Sequence, residues 1–172
     1  MASPEIKPLN IAVLTVSDTR DQTTDDSGNY LASALQAFGH HLSEKAIVQD
    51  DIYAIRAKVS LWIADPSIHA IITTGGTGFY PRDVTPEAIR VLFDKPIEGF
   101  GELFRAISLQ EIGTSTIQSR VFGGMANQTA IFCLPGSMNA CKTGWQKIIE
   151  KQLDSRTKPC NFVSHLLNNT QN

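Results

Sequence analysis

The apolar run Ala70-Ile71-Ile72 passes directly into Thr73-Thr74-Gly75-Gly76-Thr77-Gly78, and few folds accommodate that junction. A β-branched run of this kind suits a buried strand, and the loop behind it is almost stripped of side chains. Glycine is required where a backbone turns with positive φ or passes close to a ligand. Three glycines with threonines between them leave several N–H groups free to converge on one anion, the arrangement that cradles phosphates. Asp83 comes next, and then Thr85-Pro86-Glu87 marks a helix start. Thr85 supplies a hydroxyl N-cap, proline takes the first helical position and an acid sits in the first turn. The segment reads as strand, phosphate-sized loop, carboxylate and a helix over 86–93, a site for a phosphorylated ligand with an acid that can hold a metal.

The same order recurs along the chain. Ile11-Ala12-Val13-Leu14-Thr15-Val16 is a continuous run suited to a strand buried on both faces. Tyr30, Leu31, Ala34, Leu35 and Phe38 then fall at helical spacing, and Gly39 closes that helix. Ala46-Ile47-Val48 reads as a short strand, and Ile52, Ile55, Val59, Trp62 and Ile63 as the inner face of a helix stopped by Asp65-Pro66. A helix opens near Gly99-Phe100-Gly101-Glu102, a strand covers 129–134, and a long helix covers 138–153. Strands alternating with helices predict an α/β fold, a three-layer α/β/α sandwich around a mostly parallel sheet. One domain over 9–166 is expected, with a disordered segment at 1–8 and a polar tail at 167–172.

Composition excludes more than it selects. A chain of 172 residues, 42% hydrophobic and 19% charged, has room for one full core. Its net charge of −2, without any Lys/Arg run, gives nucleic acid no footprint. No apolar stretch reaches membrane-spanning length and 1–8 has no signal-peptide core, so a cytoplasmic location is expected. Cys133, Cys141 and Cys160 lack paired zinc spacing and read as reduced thiols, and the four histidines show no metal-ligand spacing.

In an open α/β sheet, ligands bind beyond the carboxyl ends of the strands, where strand order reverses. Ser17-Asp18 follows the first strand, Asp50-Asp51 the second, the glycine loop with Asp83 the third, and Pro135-Gly136-Ser137 the last. All four can meet on one rim. Each also has a plainer reading: a turn at Ser17-Asp18, a helix cap at Asp50-Asp51, a helix-entry acid at Asp83, a helix-entry loop at Pro135-Gly136-Ser137. Glu102 reads equally as a site acid or as a surface acid in a first helical turn.

Together these residues resemble the MoaB/MogA family of molybdenum cofactor biosynthesis proteins, which is related to a domain of gephyrin and MoeA. The carriers are Leu14-Thr15-Val16-Ser17-Asp18, Asp26-Ser27-Gly28, Ile47-Val48-Gln49-Asp50-Asp51, the loop Thr74-Gly75-Gly76-Thr77-Gly78 with Asp83-Val84-Thr85-Pro86-Glu87-Ala88, Gly99-Phe100-Gly101-Glu102 and Leu134-Pro135-Gly136-Ser137. The match runs in order over nearly the whole chain, and Ser155-Arg156-Thr157-Lys158-Pro159-Cys160-Asn161-Phe162 looks like the MoaB branch. Gln49 stands where the family often has proline.

The resemblance implies homotrimers or homohexamers, contact with other molybdenum cofactor biosynthesis proteins, and a pocket for molybdopterin. It also implies adenylyl transfer from Mg-ATP to the terminal phosphate of that pterin, with no permanently bound cofactor. The important carboxylates of the family fall on Asp50 and Asp83, both candidate magnesium ligands. Ser17, Asp18, Ser27, Gly28, Thr74, Gly75, Gly76, Thr77, Gly78, Glu102, Pro135, Gly136 and Ser137 fall on substrate- and phosphate-binding positions. Nucleotidyl transfer needs positioning and charge cancellation more than covalent help, which suits a site without a Ser/His/Asp triad. No Walker lysine follows the loop, which argues against a P-loop hydrolase. A non-catalytic molybdopterin carrier or scaffold is the alternative. Segment 121–130, apolar and sparsely charged, is the expected subunit contact.

Overall fold

A computed structural model describes residues 5–167. Its centre is a six-stranded sheet in the order β2-β1-β3-β6-β5-β4. The strands are β1 (Asn10–Val16), β2 (His41–Val48), β3 (Ala70–Thr74), β4 (Lys95–Pro96), β5 (Phe122–Ala126) and β6 (Thr129–Leu134). β1 pairs in parallel with β2 and β3, and β3 with β6, whereas β4 and β5 join antiparallel. The sheet is therefore mostly parallel, as the alternation of strand and helix predicts.

Side-chain alternation along the buried strands divides the core in two. Ile11, Val13, Ala70, Ile72, Ala130, Phe132 and Leu134 face one cluster. It is closed by α1 (Asp26–Phe38), α4 (Glu98–Ile112), α5 (Met138–Gly144) and the π-helical turn Trp145–Ile149. Ala12, Leu14, Val16, Ile71, Ile131 and Cys133 face the other cluster, under α2 (Ile52–Ala64) and α3 (Thr85–Ile89). Three layers result from strands that are apolar on both faces. The last described elements are α6 (Glu150–Gln152) and α7 (Val163–Leu167). Residues 1–4 of the expected N-terminal segment and 168–172 of the expected tail lie outside the described residues, while the Lys7 N–H donates to Ser155 Oγ at 3.0 Å.

Three sequence expectations need correction. The second strand is eight residues long. Its first half is polar because β2 is an edge strand. Segment 121–130 is no exposed contact surface: Val121, Phe122, Ala126 and Ala130 are buried in the β5–β6 hairpin of this same chain. Asn127 and Gln128 turn that hairpin with φ of 46° and 65°. Both central residues of a tight hairpin turn take positive φ, and asparagine tolerates it when its side chain is held. Here the Asn127 amide donates to the Ile63 carbonyl at 2.9 Å. The third correction concerns α3, which starts at Thr85 with Val84 as its N-cap residue and no side-chain cap.

Candidate functional site

The strand order reverses at β1, with β2 on one side and β3 on the other. The loops after β1, β3 and β6 surround a cleft of about 750 Å³ at that point. Its lining includes Ser17, Asp18, Ser27, Asp50, Thr74 to Gly78, Asp83 and Pro135 to Ser137. Two candidates lie elsewhere. Gly28 sits behind the cleft wall in α1, where a Cβ would lie 2.2 Å from Asp25 Oδ2, and Glu102 is exposed on α4 and lines no part of the cleft.

Most of the hydroxyls at this rim hold loops to each other. Thr74 Oγ1 donates to the Pro135 carbonyl at 2.8 Å, and Ser27 Oγ to the Gly136 carbonyl at 2.8 Å. Ser17 Oγ accepts the N–H groups of Thr19 and Arg20, and Ser137 Oγ accepts that of Ala140 as the cap of α5. Thr85, expected as a cap, instead donates through Oγ1 to the Gly75 carbonyl at 2.8 Å and through its N–H to the Gly76 carbonyl at 3.0 Å.

What remains for a ligand is backbone. The Gly75 N–H is committed to the Leu134 carbonyl at 3.1 Å. Among the described residues, the N–H groups of Gly76, Thr77 and Gly78 have no acceptor. In a trans peptide, C=O and N–H lie in one plane and point in opposite directions. By pinning the carbonyls of Gly75 and Gly76, Thr85 therefore turns the next two N–H groups away from itself. The glycines are needed for two reasons. Gly75 and Gly76 have φ of 101° and 67°, and a Cβ at Gly75 would lie 2.2 Å from the Val16 carbonyl oxygen. We expect Gly75→Ala to destabilise the protein by at least about 2 kcal/mol in urea unfolding, since left-handed backbone and a backbone clash both oppose the methyl.

Carboxylates gather beside this loop. Asp18 Oδ1 accepts the Asp50 N–H at 3.2 Å, which ties the first two loops together. The Arg82 guanidinium pairs with Asp18 and holds its carboxyl below the usual range. Asp50 is pushed the other way, first by burial and then by the negative charges of Asp18 and Asp83. Asp83 Oδ2 accepts the Tyr80 N–H at 3.0 Å. No group of three or more His, Cys, Asp or Glu among the described residues is arranged to hold a metal. What the site offers is a carboxylate pair whose crowded negative charge a dication would relieve. That fits magnesium, which binds through one or two carboxylates plus substrate oxygens and water.

Sequence reading misses the group behind the wall. Asp25 is fully buried, caps α1 through the Gly28 N–H at 3.0 Å, accepts Thr15 Oγ1 at 2.7 Å and pairs with Lys45 at 2.7 Å. Burial opposes its ionisation, but Lys45, Thr15 and Gly28 outweigh that and hold its carboxyl below the usual range. Asp-Asp-Ser-Gly at 25–28 carries a helix-cap signal that could have located it. The far wall, with Ser108, Glu111 and Thr143, leaves no sequence signal because it forms only when α4 meets α5. There Thr143 Oγ1 donates to Glu111 Oε2 at 2.9 Å. All three cysteines are unpaired, with Cys133 and Cys141 buried and Cys160 exposed. No described helix is long and apolar enough to cross a membrane.

Residues 12–155 match the family described as "Probable molybdopterin binding domain". Molybdenum cofactor biosynthesis protein B of Escherichia coli is 54% identical over 164 residues, covering 95% of this chain and 96% of that protein. A crystal structure of a molybdenum cofactor biosynthesis protein B superposes with a TM-score of 0.83 at 40% identity, covering 86% of this chain and 92% of that one. The molybdopterin biosynthesis Mog protein from Mycobacterium ulcerans superposes with a TM-score of 0.75 at 27% identity, over 84% of this chain and 97% of that one. Family match, sequence identity and superposition agree with one another, and the chain belongs to the MoaB/MogA family of molybdenum cofactor biosynthesis proteins, on its MoaB branch.

Proposed function

We propose that the protein binds molybdopterin through its terminal phosphate and adenylylates that phosphate with Mg-ATP, releasing pyrophosphate. The observation that carries this reading is the juxtaposition of three unpaired N–H groups at 76–78 with Asp50 and Asp83 in one cleft. A pterin phosphate oxygen attacks the α-phosphorus of ATP and forms the new P–O bond. The bond from that phosphorus to the bridging oxygen breaks, and pyrophosphate leaves with the electron pair. Asp50 and Asp83 would hold magnesium, which when bound supplies positive charge against the crowded phosphates. The N–H groups at 76–78 hold the nucleophilic phosphate in place, and Arg20 and Arg82 add positive charge at the rim of the cleft. Such positioning with preorganised charge is what nucleotidyl transfer requires of a protein.

Incubating the purified protein with molybdopterin, ATP and magnesium should yield adenylylated pterin, detected by its mass, with one pyrophosphate per product. Saturable pterin binding without that product would assign the chain the carrier or scaffold role instead. Assembly as a homotrimer or homohexamer belongs to the same reading. It is supported by Leu103, Leu109 and Ile117, which are 48%, 47% and 73% exposed on α4 and the 3₁₀ turn after it. Sedimentation at micromolar concentration should show three or six subunits, and a monomer would refute the assembly.

A further inference from the structure

The third unpaired amide of the glycine loop is aimed by a residue outside the cleft. Arg120 donates from its backbone N–H and from Nε to the Thr77 carbonyl, each at 3.3 Å. Nε also reaches the Gly78 carbonyl at 3.0 Å, and Nη2 the Asp83 carbonyl at 2.8 Å. Nη1 pairs with Glu87, and the guanidinium lies 5.3 Å from the centre of the Phe79 ring. One planar group thus spans the segment from the loop to its carboxylate. Fixing the Thr77 carbonyl fixes the Gly78 N–H in the opposite direction, because both belong to one trans peptide. Fixing the Asp83 carbonyl sets the root of the acid. Thr85 does the same for the two preceding amides, so the three free N–H groups are aimed by two residues.

We infer that Arg120 is a positioning residue: it clamps 77–83 so that the glycine-loop amides grip the substrate phosphate and Asp83 stays beside it. Building on the phosphate-loop reading above, it adds a residue that touches no substrate. Lysine cannot replace the clamp, since a single ammonium lacks the rigid fork that meets several carbonyls at once.

The test compares binding of molybdopterin and of its dephosphorylated form by calorimetry, in wild type, Arg120→Met and Arg120→Lys. Wild type should prefer the phosphorylated ligand. Both variants should lose about tenfold of that preference, the worth of roughly one charge-assisted hydrogen bond. Affinity for the dephosphorylated form should stay unchanged, which a general loss of structure would not produce. If Arg120→Met does not fold, Arg120→Lys, which keeps the charge opposite Glu87, is read alone. A full preference retained in the folded variants overturns the clamp while leaving the phosphate loop intact. No preference in wild type overturns the phosphate loop itself, and the clamp with it.

Discussion

Asp83→Asn is expected to bind molybdopterin with wild-type affinity and to lose adenylylation by about 10²-fold to 10³-fold, the range seen when a preorganised charge group is removed from a transition state. The substitution changes charge and almost nothing else. An asparagine oxygen can still accept the Tyr80 N–H that now reaches Asp83 Oδ2 at 3.0 Å. The N–H groups proposed to hold the phosphate lie in the loop and are untouched. A second readout needs no turnover. Because the charge of Asp83 helps to push Asp50 up, its removal should lower the titration of Asp50, followed by carboxyl NMR. Turnover at the wild-type rate would leave Asp83 without a catalytic role.

Asp25→Ala is expected to cost about 3–5 kcal/mol in urea unfolding, the penalty for leaving one member of a buried ion pair uncompensated. Lys45 would lose its carboxylate partner, Thr15 its acceptor and the Gly28 N–H its cap. Removing both charges in Asp25→Ala with Lys45→Met should recover much of the loss, since the stranded ammonium is then gone. The pH dependence has a defined sign. The folded carboxyl lies below its unfolded value of about 3.9, so its stabilisation is fully present above that pH. It is lost as pH falls through the folded value. Asp25→Ala should therefore unfold with a shallower acid limb than wild type. The cleft should feel the change as well, because α1 carries Ser27, which holds the Gly136 carbonyl at 2.8 Å.

Both predictions use residues that differ sharply in how readable they are. Asp83 follows a glycine loop at the end of an apolar run, and that local pattern announces a site wherever the chain folds. Asp25 announces only a helix cap, which says nothing of a buried ion pair. Its meaning depends on Lys45 and Thr15, which come from two neighbouring strands whose register no local pattern encodes. The apolar hairpin at 121–130 misleads for a related reason. Apolarity alone does not say whether a segment is covered by its own chain or by another, and here helices of the same chain cover it on both faces of the sheet.

Read alone, the sequence determined the α/β class, the main parallel strands and the loop whose missing side chains mark the candidate site, because periodicity and glycine act within a few residues. Tertiary structure decided which amides stay free. The Gly75 N–H joins the sheet, whereas those of Gly76 to Gly78 are turned outward by partners at Thr85 and Arg120. It also placed Glu102 outside the cleft and Asp25 beneath it. Hydrogen bonds and charge pairs between distant segments carry no periodic trace along a chain, so they become legible only when folding brings their partners together.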